Sequence, residues 1–150
     1  GSATDHWPEF QLRHLGYVRA QREAGVEPDP RLLAEAQSSE ADGHAAALQL
    51  LDSGAPFEAV FAASDRIAIG VIAALRDRGR SVPGDVSVVG FDDIAAAAHF
   101  NPPLTTVQQD TQRAGEMLVD NLLRLIAGEQ VESALIEPRL VVRGSTTYDG

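Results

Sequence analysis

The sequence predicts an α/β fold, a parallel sheet with helices on both faces, and three observations carry that prediction. The apolar run Val60-Phe61-Ala62-Ala63 feeds a helical pattern through only two residues, Ser64-Asp65. A second, near-continuous apolar run follows that helix at Val86–Phe91. The β-branched residues Thr105-Thr106-Val107 then precede another helical pattern. Strand, helix, strand in this order is the βαβ unit, whose strands run parallel and are buried on both faces.

Each element has its own signal. Phe10, Leu12, Leu15, Val18 and Ala20 recur at helical spacing up to Gly25, which predicts a first helix over 10–24. Pro28 and Pro30 fix an extended link. Arg31–Ala36 after it has helix-forming composition but is too short for its period to decide. Ser38 and Ser39 are N-cap types before Glu40 and Asp42, and Ala45–Leu51 supplies an apolar face that ends at Gly54. Ile67, Ile69, Val71, Ile72 and Leu75 lie along the next helix, 66–78, which Gly79 stops. Beyond the second strand, Ile94–Phe100 is a short Ala-rich segment broken by Asn101-Pro102-Pro103. Met117, Leu118, Leu122 and Leu125 form one face of a helix over about 110–127, closed by Gly128. Ser133–Arg143 alternates enough for a last strand, with Leu135, Leu140 and Val142 expected to be buried.

Composition narrows the function. The chain has 150 residues, 44% of them apolar, enough for a core. Its 22 acidic against 12 basic residues give a net charge of −10, which repels the phosphate backbone and makes this piece a poor DNA ligand. Zero cysteines exclude disulfides, thiolate catalysis and Cys-type zinc sites. No apolar run has the length of a membrane span, and Gly1–Asp5 lacks a signal pattern, so a soluble protein is expected. His6, His14, His44 and His99 are not at metal-ligand spacing, and no phosphate-binding glycine loop or nucleophile elbow occurs. No catalytic residue, metal or cofactor is expected.

In an open parallel sheet, ligands bind beyond the carboxyl ends of the strands. Two strands end there in short polar residues, Ser64-Asp65 and Asp92-Asp93. Capping of the following helices accounts for one acid at each turn. The second acid at 92 and 93 is in excess, and a polyhydroxylated ligand supplies the donors that a carboxylate needs. Consecutive residues at a strand end point in different directions, which argues against an opposed acid and base for glycoside hydrolysis.

These residues resemble the effector-binding core of LacI/GalR-type transcriptional repressors, itself similar to periplasmic sugar-binding proteins. The resemblance runs through Ala59–Gly70, Gly79–Pro83, Asp85–Asp93 and Pro103–Val107 to Gln109 and the helix after it, with Arg13 and Gly16-Tyr17 extending it to the beginning. It implies the C-terminal lobe of a two-lobed core, the helix over about 108–128 packing on an absent N-terminal lobe, and a DNA-binding domain lying elsewhere. Gly1-Ser2 fits a native start or a cloning remnant equally. The family's effector contacts fall on Arg13, Ser64, Asp65, Asp92 and Gln109, with Ser64 departing from a common Asn, Asp93 structural, and Phe91 packing behind the site. Arg31–Gln37 should then be a strand, and Ile69, Ala73 and Phe100 should meet the partner of a homodimer. The implied protein is a cytoplasmic repressor that senses a small molecule, a sugar or nucleoside, and reaches operator DNA through its other domain, with no membrane association. A periplasmic sugar-uptake protein and a glycoside-processing enzyme stand as the alternatives.

Overall fold

The computed structural model describes residues 8–147; Gly1, Ser2 and His6 lie outside them. The order is α1 (Pro8–Glu23), a 3-10 turn (Pro30–Leu32), α2 (Glu40–Asp52), β1 (Ala59–Phe61), α3 (Asp65–Asp77), β2 (Ser87–Asp92), α4 (Ala95–His99), β3 (Thr105–Gln108), α5 (Thr111–Ile126) and β4 (Arg139–Val141). The four strands pair as β1-β2-β3-β4, the first three parallel. Val60 stands opposite Val88, and Val89 opposite Thr105.

β4 runs antiparallel to β3, with Arg139 opposite Gln108. The chain leaves the sheet after Gln108 into α5 and returns at the same edge in the opposite direction, through residues 127–138, instead of completing a further parallel βαβ unit. This is the departure from an all-parallel sheet.

The core follows from the alternation of β2. Val88 and Gly90 turn to the α3 side, where Ile72, Leu75, Val88 and Leu104 are essentially without exposure. The residues between them turn the other way, and α1 covers that face: Tyr17 stacks on Phe61 with ring centroids 6.1 Å apart, and Arg13 lies over Phe91. Helices thus lie on both faces. α2 packs on α3 through two glycines. A Cβ on Gly70 would stand 2.0 Å from the Glu40 carbonyl oxygen, and one on Gly43 would stand 2.3 Å from that of Ile67.

Two expectations are corrected, those for residues 33–37 and for the last strand. Residues 33–37 form neither a helix nor a strand; after the 3-10 turn they run without ladder hydrogen bonds. The last strand spans only Arg139–Val141 of the expected 133–143, and Leu135, Leu140 and Val142 are 100%, 58% and 48% exposed, Leu135 in the segment before the strand and Leu140 on an edge strand with no layer over it. Ile69 is buried within the lobe and Phe100 packs on its core, leaving Ala73 partly open, so ordinary packing accounts for two of the three residues assigned to a dimer contact. α5 agrees with its pattern but has no partner: none of its residues is buried, Met117 is half-buried, and Leu118, Leu122 and Leu125 are exposed.

The α2–α3 crossing makes a sharp prediction. Alanine is favoured over glycine in a helix by about 1 kcal/mol, yet at position 70 its methyl meets backbone that cannot yield. Gly70→Ala should lower stability by about 1–3 kcal/mol, read as a lower urea midpoint with unchanged slope; an increase would refute the close crossing.

Candidate functional site

The carboxyl ends of β1, β2 and β3 bring four short segments together. β1 runs through Ala62-Ala63 into Ser64, whose extended backbone (φ −151, ψ 163) makes it the N-cap of α3. Its hydroxyl accepts the Ile67 N–H at 3.3 Å, and the residue is buried. Asp65 follows with no exposure at all. Its Oδ2 accepts the Ile94 N–H at 2.8 Å and its Oδ1 accepts the Thr106 hydroxyl at 2.5 Å. Burial raises the Asp65 pKa above the usual carboxylate range; the Thr106 and Ile94 bonds pull it back, and the negative charges of Asp92 and Asp93 add to the rise.

Gly90 makes room for that carboxylate, since a Cβ there would come within 2.2 Å of Asp65 Oδ1. Ser64 thus caps α3, and the Asp65 carboxylate braces the lobe from inside.

At the end of β2 the backbone turns over. Asp92 and Asp93 both have positive φ, +109 and +52, a conformation that costs side-chain-bearing residues of order 1–3 kcal/mol when out of the favoured regions. The turn sends the two carboxylates apart. Asp93 binds Arg143 Nη2 at 2.7 Å and Gln108 Nε2 at 2.8 Å, the structural part expected of it. Asp92 faces the open edge, where its Oδ1 accepts from Arg13 Nη2 at 3.2 Å and Gln109 Nε2 at 2.8 Å. Neither acid caps α4, which begins after Ile94 without a side-chain cap.

Arg13 is held more firmly than one ion pair would hold it. Nη1 donates to the Ala63 carbonyl, and the guanidinium lies 3.9 Å from the Phe91 ring centre and 5.3 Å from that of Phe10. The side chain is 12% exposed. A guanidinium has five N–H donors, and two are used here, so donors remain for a ligand in a fixed plane. The arrangement thus brings Arg13, Asp92 and Gln109 together as donor, acceptor and donor at one edge, which suits a molecule with neighbouring hydroxyls.

Phe91 does more than pack behind the site, and Phe10 was missed. Its signal was its position three residues before Arg13, on the same helix face. Arg143, which neutralises Asp93, had no local signal because it arrives from the far end of the chain. A cavity of about 420 Å3 lies beside this edge, with Phe10, Arg13, Tyr17, Leu33, Phe57 and Phe61 in its walls. Among the described residues no group of His, Asp and Glu is placed to hold a metal ion, and no helix is long and apolar enough to cross a membrane.

Residues 2–146 match the periplasmic binding protein-like domain family. The chain is 37% identical over 148 residues to the HTH-type transcriptional regulator RegA of Clostridium saccharobutylicum, covering 97% of this chain and 45% of that protein. It superposes on a complex of the transcriptional regulator CelR with cellobiose at a TM-score of 0.83 and 40% identity, over 89% of this chain and 41% of that one. It superposes on a lac repressor dimer bound to operator and the anti-inducer ONPF at 0.85 and 33% identity, over 92% and 48%. The chain spans less than half the length of the curated relatives it matches.

The buried acid yields a prediction whose sign is fixed. A folded pKa above the unfolded 3.8 means that the folded state holds this proton more tightly. The stability it contributes is full below pH 3.8 and is lost as the pH rises through the folded value. Asp65→Asn removes that dependence. Urea titrations at several pH values should show the wild type gaining on the variant as the pH falls from neutral; a constant or shrinking gap would contradict the buried charge.

Proposed function

The chain belongs to the periplasmic binding protein-like domain family, in the form carried by LacI-type transcriptional regulators, and from that premise we propose that it is the effector-sensing lobe of a repressor. The observation that carries the reading is the meeting of Arg13, Asp92 and Gln109 at the strand ends. A hydroxyl of the effector donates to Asp92, and a second accepts from the unused N–H groups of Arg13. Phe91 and Phe10 hold the guanidinium plane, while Ser64 and Asp65 support the edge from inside. The effector is a sugar or nucleoside. A sugar is the class seen with the similar CelR, whose solved complex contains cellobiose.

The relatives reported above are named as regulators, which disfavours the uptake and enzyme alternatives. On this reading the other lobe and the DNA-binding domain lie in the rest of the protein, which acts in the cytoplasm as a homodimer. Ala73 is the residue of the three that stays open to a partner. The exposed apolar face of α5, with Leu118, Leu122 and Leu125, packs on the other lobe. Binding in the interlobe cleft then alters operator affinity by differential contact with two lobe arrangements.

A thermal-shift panel of monosaccharides, disaccharides and nucleosides on the intact protein should find a stabilising compound. Asp92→Ala should weaken its binding by about 1.5–3 kcal/mol, roughly ten- to hundredfold, without loss of operator binding. Undiminished affinity in the variant would overturn the site. In the isolated chain, Leu118→Glu and Leu122→Glu should reduce self-association in sedimentation velocity; equal association with and without them would refute the uncovered face on α5.

A further inference from the structure

α5 is joined to the lobe at two places in the chain. At its far end, residues 127–138 contain no helix or strand. At its near end β3 stops at Gln108, Gln109 follows, and Asp110 caps the helix by accepting the Arg113 N–H at 2.9 Å. Gln109 and Asp110 are exposed, and no residue of α5 is buried. Among the described residues, the bond from Gln109 Nε2 to Asp92 Oδ1 is the one side-chain hydrogen bond from the 109–126 stretch to the sheet or the helices before it; the other that leaves the stretch, Arg124 to Glu129, ends in the segment just after α5.

That bond ends on the carboxylate assigned to the effector. Asp92 Oδ1 carries two donors of unequal hold. Arg13 is charged, 12% exposed, and held also by Ala63 and Phe91. Gln109 is neutral, exposed and held by this bond alone. Both bonds end on a carboxylate, but the Arg13 bond joins opposite charges on a side chain that Ala63 and Phe91 also hold, whereas Gln109 is an uncharged donor without a second bond, so an incoming hydroxyl that donates to Oδ1 displaces Gln109 before Arg13. The neighbouring Gln108 stays in place, because it donates to Asp93, accepts from Arg139 and stands in β3 opposite Asp92 of β2. Release is thereby confined to one residue, at the joint where the chain leaves for α5.

We propose that Gln109 is a positioning residue, a latch that fixes the start of α5 to this lobe through Asp92 and is opened by the effector. The proposal rests on the effector reading of the Arg13–Asp92 edge. It gives that site a route to α5 and to whatever α5 carries with it.

Spin labels at Gln49→Cys on α2 and Asp120→Cys on α5, both exposed sites in a chain without cysteine, report the angle of α5 in the intact protein as a distance distribution. Without ligand, Gln109→Ala and Asp92→Ala should each shift the distribution, and the double variant should shift it no further than Asp92→Ala, which removes the Gln109 bond along with the Arg13 pair. The wild-type distribution in Gln109→Ala, or additive shifts in the double variant, would overturn the latch. The sugar that stabilises the wild type most in the thermal-shift panel should move the wild-type distribution to that of Gln109→Ala and leave Gln109→Ala where it is. A sugar that binds without moving the wild type overturns the latch and upholds the effector site. A shifted Gln109→Ala distribution with no stabilising compound in the panel overturns the effector site and upholds the tether.

Discussion

The Asp65 carboxylate sits at the first residue of α3, shielded from solvent, and accepts one hydrogen bond from the loop after β2 and another from the middle of β3. Three elements are thereby pinned to one charged group. A helix N-terminus favours a negative charge, which together with two donors keeps the buried acid tolerable. Gly90 completes the arrangement because any side chain there would occupy the position of the carboxylate. The Ile94 N–H fixes one end of the 92–94 stretch, and the Thr106 hydroxyl accepts the Asp93 N–H at 3.4 Å. The two positive-φ residues are held between those points. The outward face of Asp92 is a consequence of an inward-facing Asp65.

Three carboxylates are crowded at this edge in a chain of net charge −10, and each has its own compensation. Asp93 is paired with Arg143, which comes from beyond β4, and Asp92 with Arg13, which comes from α1. The antiparallel return of β4 is what delivers Arg143, so the one strand that breaks the parallel order also neutralises the site. Asp92 is left as the acid that is partly open, 34% exposed, and partnered by one firm donor and one weak one. That imbalance makes it suited to exchange a protein donor for a ligand hydroxyl.

Much of this was legible in the sequence. α3 and β2 declare themselves because local pattern and tertiary burial agree, whereas the apolar run of β1 marked a strand but not its burial, since β1 lies at the sheet edge with Ala59 and Phe61 exposed. The opposite directions of Asp92 and Asp93 were expected of consecutive residues at a strand end, but they arise from the positive-φ turn that ends β2. Residues 31–37 were not legible, since a short segment behind two prolines takes its form from whatever lies beside β1. The exposure of Leu135 and Leu140 was hidden for a similar reason, as alternation shows which residues share a face and not whether anything covers it. Ser64 and Asp65 carry the same letters whether they cap a helix, brace a loop or face a ligand. Only the positions of Thr106, Ile94 and Gly90 decide between these roles, and those residues lie 25 or more positions away in the chain.

The account stands or falls on where the effector's hydroxyls lie. A crystal structure of the intact protein with the compound that stabilises it most tests this directly. The account predicts one hydroxyl on the Asp92 carboxylate, another on the Arg13 guanidinium, and Asp65 still closed on Thr106 and Ile94. A ligand seated among Tyr17, Leu33 and Phe57 in the cavity beside β1, with the Arg13–Asp92–Gln109 cluster undisturbed, would contradict it.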